Sequence, residues 1–231
     1  MKVNITIPET LNDITVSKYL EYLSIVKANE DATNDFLNKK MVQIFCNIPL
    51  SIVNSLQMKD FRSIVTQLNN VFKSKPKDLI TRFNLNGVEY GFIPDLDNIT
   101  AGEFADLDNY FQEEESLNKA MAVLYRPVVK PKWYKKKTKG KYNIEKYEGS
   151  SKYANVFKDM PLDVAISAQV FFYNLEIELS KSILRYLQQQ VSKQKTNGLE
   201  RNGDGINRFI QSLEEAIFRL NEYQSRDFMR C

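Results

Sequence analysis

The chain has 231 residues, 43% of them hydrophobic and 26% charged, with a formal net charge of +3; that suits one large domain or two small ones and is too little charge to argue for nucleic acid. It contains no histidine, which removes the commonest acid–base group near neutral pH and the commonest zinc ligand. Its two cysteines, Cys46 and Cys231, exclude a disulfide framework, and no apolar run is long enough for a signal peptide or a membrane span, so a soluble protein made in a cytoplasm is expected.

Val3, Ile5 and Ile7 alternate with Asn4 and Thr6 and predict a short strand ended by Pro8. Thr15 then opens a helix to about Ala28, and Thr33 is the expected N-cap of a second carrying Phe36, Leu37, Met41, Ile44 and Phe45. Pro49 suits the first turn of a short third helix, and Phe61, Ile64, Val65, Leu68 and Phe72 give a fourth over about 60–73 its apolar stripe. Asn86-Gly87 between two apolar-rich runs predicts a hairpin over 79–94, because both residues tolerate the positive φ of a type I′ turn. A lone hairpin is marginal in water, so the strand at 3–7 is the expected third member of its sheet.

Thr100 and Glu103 form a capping box at the start of an acidic helix; a second helix follows from Asn118, with Pro127 expected to close it. From Val128 to about Phe157 no period survives, which predicts a long exposed basic arm. The longest helix, from Met160-Pro161-Leu162-Asp163 to about Lys195, should be buried over Ile166, Val170, Phe171, Phe172 and Leu175 and polar beyond. A turn-rich link then leads to a last amphipathic helix, packed antiparallel on the long one. The expected fold class is α+β, predominantly helical, with a small antiparallel sheet from about 79–94 plus 3–7. The expected divisions are an N-terminal part at 1–75, the hairpin and two helices at 76–128, the basic arm at 129–158 and a C-terminal helical hairpin at 159–231.

Charge is segregated. Glu113, Glu114 and Glu115 lie in the acidic segment, while Lys130, Lys132, Lys135, Lys136 and Lys137 surround Trp133 and Tyr134 in the basic one. Bases stack on aromatic rings and lysines neutralise phosphates, so nucleic acid is one partner for the arm. Protein is favoured, because the run lacks arginine and the same chain offers a matching acidic segment. In a ring of identical subunits, one copy's arm would meet its neighbour's acidic helix head to tail.

Two other constellations have plain explanations. Glu200-x-Asn202-x-Asp204-Gly205 shadows a calcium loop but lacks the first Asp and the closing bidentate Glu, and a helix-to-helix turn accounts for it. Glu103, Asp106 and Asp108 offer paired carboxylates, which a helix's first turns favour in any case; no nucleophile or phosphate loop accompanies them. No catalytic residue, cofactor or metal is expected.

The stretches Gly91-Phe92-Ile93-Pro94-Asp95-Leu96-Asp97-Asn98-Ile99-Thr100-Ala101-Gly102-Glu103, Lys119-Ala120-Met121-Ala122-Val123-Leu124-Tyr125-Arg126-Pro127 and Met160-Pro161-Leu162-Asp163-Val164-Ala165 resemble small proteins of tailed bacteriophages of Bacteroidetes hosts, including the crAss-like group, encoded near tail and portal components. The resemblance covers roughly residues 83–180 and brings no catalytic residue. It implies a non-enzymatic virion protein, packed in several copies in the portal–tail region as a structural or cargo component beside other portal and tail proteins. A tail-assembly chaperone absent from the mature particle is the alternative, and a virion protein touching DNA through its lysine-rich arm a further one.

Overall fold

The computed structural model describes residues 4–74, 78–129, 142–196 and 203–225. The fold is α+β with helices predominating and a small antiparallel sheet. The chain divides into two compact units, residues 1–168 and 169–230, and the boundary falls inside the longest helix.

The first unit begins with four helices: α1 (Val16–Ala28), α2 (Asn34–Phe45), α3 (Leu50–Ser55) and α4 (Met58–Lys73). Thr15 and Thr33 cap the first two, each accepting from the backbone N–H three residues on. Pro49 takes the N-cap of α3, one place earlier than expected. Phe45 packs its ring in tilted contact against Tyr22 and Phe72, with centroids 5.5 and 4.9 Å apart, and fastens α1, α2 and α4 together.

The sheet has strand order β1–β2–β3–β4, from β1 (Arg82–Leu85), β2 (Val88–Phe92), β3 (Tyr125–Val129) and β4 (Asn143–Ile144), every neighbour antiparallel. Asn86 at φ 51° and Gly87 at φ 78° make the expected turn. The third strand, however, is Tyr125–Val129, and residues 4–7 join no strand. Ile5 and Ile7 keep their alternating partial burial against exposed Asn4 and Thr6, so the period-2 pattern is satisfied by packing without a ladder. Pro127 also differs from expectation. The helix before it stops at Leu124, and Pro127 lies within β3 opposite Tyr90. A proline pushes the residue before it into extended backbone, which here sustains a strand at Arg126 instead of merely ending a helix.

Between β2 and β3 come α5 (Ala101–Phe111) and α6 (Leu117–Leu124). Every residue of α6 except Lys119 is buried, so it forms the centre of the unit. Its interior polar group is satisfied, since Asn118 Nδ2 donates to the Ala154 carbonyl at 2.8 Å. The part of the expected arm that is described, from Tyr142 on, is folded: β4, then α7 (Ser151–Ala154), then a 3-10 turn at Val156–Asp159. These pieces are too short to display a period, which is why the sequence suggests a loop. Phe157, fully buried, meets Phe83 and Tyr90 on the core face of the hairpin.

The first unit closes on itself where α8 (Leu162–Thr196) starts. Val16 donates its N–H to the Met160 carbonyl at 3.0 Å, and Leu162 donates to that of Ile14 at 2.8 Å. The second unit contains the rest of α8 and α9 (Gly203–Ser225).

Candidate functional site

Arg126 is the charged residue that strand alternation turns to the face of the sheet away from Tyr125 and the aromatic core. It is 6% exposed, and its Nη1 lies 2.5 Å from Oε1 of Glu103, itself 5% exposed. That approach is an ion pair without hydrogen-bond alignment, and neither Nε nor Nη1 has an aligned acceptor. The other Glu103 oxygen accepts from the Thr100 N–H at 2.8 Å and the Thr100 hydroxyl at 2.7 Å, completing the capping box. Burial pushes the Glu103 carboxyl up, but the Thr100 hydrogen bonds and the Arg126 charge outweigh it and hold the group below the usual carboxylate range. Tyr147 covers the pair: its ring centroid lies 5.6 Å from the Arg126 guanidinium carbon, and its hydroxyl donates to Asp106. Burial, then that carboxylate, raises the Tyr147 phenol. Glu103 and Asp106 are thus each committed to structural partners. This cluster clamps α5 to β3 and Tyr147, and it presents no nucleophile.

A cavity of about 350 Å³ lies among the N-terminal segment, α1 and the end of α2, lined by residues including Ile7, Asp13, Lys18, Phe45 and Cys46. Asp13 accepts from the Thr10 and Glu9 N–H groups at 2.9 and 3.1 Å. Burial pushes the Cys46 thiol up to about 11 despite the nearby Lys18 charge, so it is a poor nucleophile near neutral pH. Among the described residues no group of three or more His, Cys, Asp or Glu side chains is placed to hold a metal ion.

Of the expected partner-binding residues, Lys130, Lys132, Trp133, Tyr134, Lys135, Lys136 and Lys137 lie outside the described residues. Their segment links the end of β3 to the start of β4, two adjacent antiparallel strands. On the acidic side, Glu115 pairs with Lys27 of α1 at 3.2 Å, Glu113 accepts from the Ser116 hydroxyl at 3.0 Å, and Glu114 opens a 3-10 turn over Glu114–Ser116. Glu200 and Asn202 of the calcium-like stretch are outside the described residues, while Asp204 and Gly205 already belong to the first turn of α9.

A further exposed apolar surface is on α8, beside single exposed side chains such as Phe104, Phe209 and Phe218 elsewhere. Leu175, expected in the core, is 45% exposed, and with Leu179 at 60%, Ile183 at 37% and Tyr186 at 61% it forms one stripe along the helix. Steps of four, four and three residues keep these side chains within about a quarter turn of each other. A second stripe, Tyr173, Ile177, Leu184, Leu187 and Val191, runs along a different side and is buried or half-buried. The part of α8 in the second unit is therefore apolar on two sides, one covered and one exposed. The expectation that its second half merely turns polar missed this, although the spacing of Leu175, Leu179 and Ile183 carries the signal. Compared with protein-family models, curated proteins and solved structures, the chain matches none.

Proposed function

We propose that this protein acts by association and not by catalysis, as a virion component of a tailed phage carried in several copies in the portal–tail region. The observation that carries the reading is the exposed Leu175–Leu179–Ile183–Tyr186 stripe, an uncovered apolar surface of the kind that marks protein contacts. The phage assignment rests on the resemblance of the stretches at 91–103, 119–127 and 160–165. Those residues supply the capping box, the central helix and the α8 closure. They are scaffold residues, in keeping with a resemblance that brings no catalytic residue.

Quantitative mass spectrometry of purified particles tests the assignment. A fixed, multi-copy stoichiometry with portal and tail proteins is expected. Absence from mature particles despite expression in infected cells replaces it with the chaperone reading, which would use the same stripe to shield another tail protein.

A further inference from the structure

We infer that the exposed stripe of α8 is a seam for a second copy of this chain, the two helices running antiparallel about a twofold axis near Ser180 and Lys181. The inference deepens the association reading by naming the occupant, and it concerns only the part of α8 that lies in the second unit. Leu175, Leu179, Ser182 and Tyr186 follow the 4, 3, 4 spacing of a coiled-coil seam. In an antiparallel pair centred there, Leu175 faces the partner's Tyr186 and Leu179 faces the partner's Ser182. A large side chain thus meets a small one in both central layers. Ser182 is exposed, as the seam requires.

Charge selects this orientation. Glu178 and Arg185 flank the stripe seven residues apart on one side of the helix, both at the surface. Among the described residues Glu178 has a long 3.5 Å contact to Lys181, and Arg185 donates to the Lys181 carbonyl at 3.2 Å. Across the twofold axis each Glu178 meets the partner's Arg185, giving two equivalent ion pairs. A parallel pair places Glu178 beside the partner's Ile183 and stacks Ser182 on itself, which satisfies neither charge nor packing. A self-complementary patch on one surface closes as a dimer and does not propagate.

Sedimentation velocity on the full chain over a concentration series, at low and high salt, tests the seam. A dimer that weakens with salt is expected. Leu179→Asp should abolish it. Arg185→Glu alone or Glu178→Arg alone brings like charges together and should weaken dimerisation about tenfold or more. The double variant Glu178→Arg/Arg185→Glu should recover it, because the swapped charges pair again across the axis. Circular dichroism of each variant confirms retained helix. A wild-type chain that stays monomeric at high concentration overturns the seam, as does a double variant that stays folded without recovering. Association lost on reversing Lys135, Lys136 and Lys137 but unaffected at Glu178 also overturns it, in favour of the lysine-rich segment. Particle stoichiometry is measured separately, so failure of the seam leaves the virion assignment standing, and the reverse holds too.

Discussion

At the scale of single residues, Arg126 and Glu103 are the most consequential pair. Arg126→Met leaves a carboxylate buried without its counter-charge and should cost about 3–5 kcal/mol, read as a shift in urea midpoint. Adding Glu103→Gln should restore part of the loss, since the double variant strands no charge. The pH dependence follows from the depressed Glu103 carboxyl. A group with a folded pKa below its unfolded value of about 4.3 adds stability above that value and loses it as pH falls through the folded one. Urea titrations between pH 6 and pH 3 should therefore show the gap between wild type and Glu103→Gln narrowing below about pH 4. A constant gap would mean that Glu103 contributes through shape alone. Cys46 gives a second residue-scale check. With Cys231 replaced by Ser, the native chain should react with a thiol reagent at pH 8 far more slowly than the urea-unfolded chain, because burial keeps the Cys46 thiol protonated.

At the scale of elements, what the sequence discloses depends on length and on local chemistry. The long helices are legible because each presents several turns of one period, with Thr15, Thr33 and Thr100 as caps where the side-chain chemistry requires them. The Asn86-Gly87 turn is legible because few other pairs accept two positive φ values. Gly87→Ala should cost about 1–2 kcal/mol from backbone strain alone, since a Cβ there meets nothing within 4 Å. β3 and β4 are not legible, because a strand's partners are chosen by tertiary packing and β4 is two residues long. Gly91 shows what such packing hides. A Cβ there would collide with the Tyr142 ring, whose hydroxyl shares its one hydrogen between the Phe92 and Thr81 carbonyls at 2.9 and 3.0 Å. Gly91→Ala should expel that ring and lower the thermal midpoint, and Tyr142→Phe should lower it less. Equal midpoints for wild type and Gly91→Ala would show that the ring can move aside without cost. The stripe on α8 was half legible: spacing reveals two apolar sides, but only the structure shows which one is covered.

At the scale of the whole molecule, the segregated charge and the apolar stripe are separate adhesive features. Trp133, the single tryptophan, sits in the lysine-rich segment, so its fluorescence reports on that segment alone. Titration with single-stranded DNA at low salt should leave its emission unchanged if the segment serves protein contacts. Salt-sensitive quenching that disappears when Lys135, Lys136 and Lys137 become Ala would establish nucleic-acid binding instead.

The closure between Ile14–Val16 and Met160–Leu162 has a further consequence for synthesis. Ile14 and Val16 are wholly buried, and Ile80 donates its N–H to the Ser167 hydroxyl at 3.1 Å. A nascent chain that has not yet delivered residues 160–167 cannot seal the interior its first helices have begun. Translation must therefore pass residue 167 before that unit can shut, and ribosome-bound intermediates ending short of it should recruit chaperones that longer ones release.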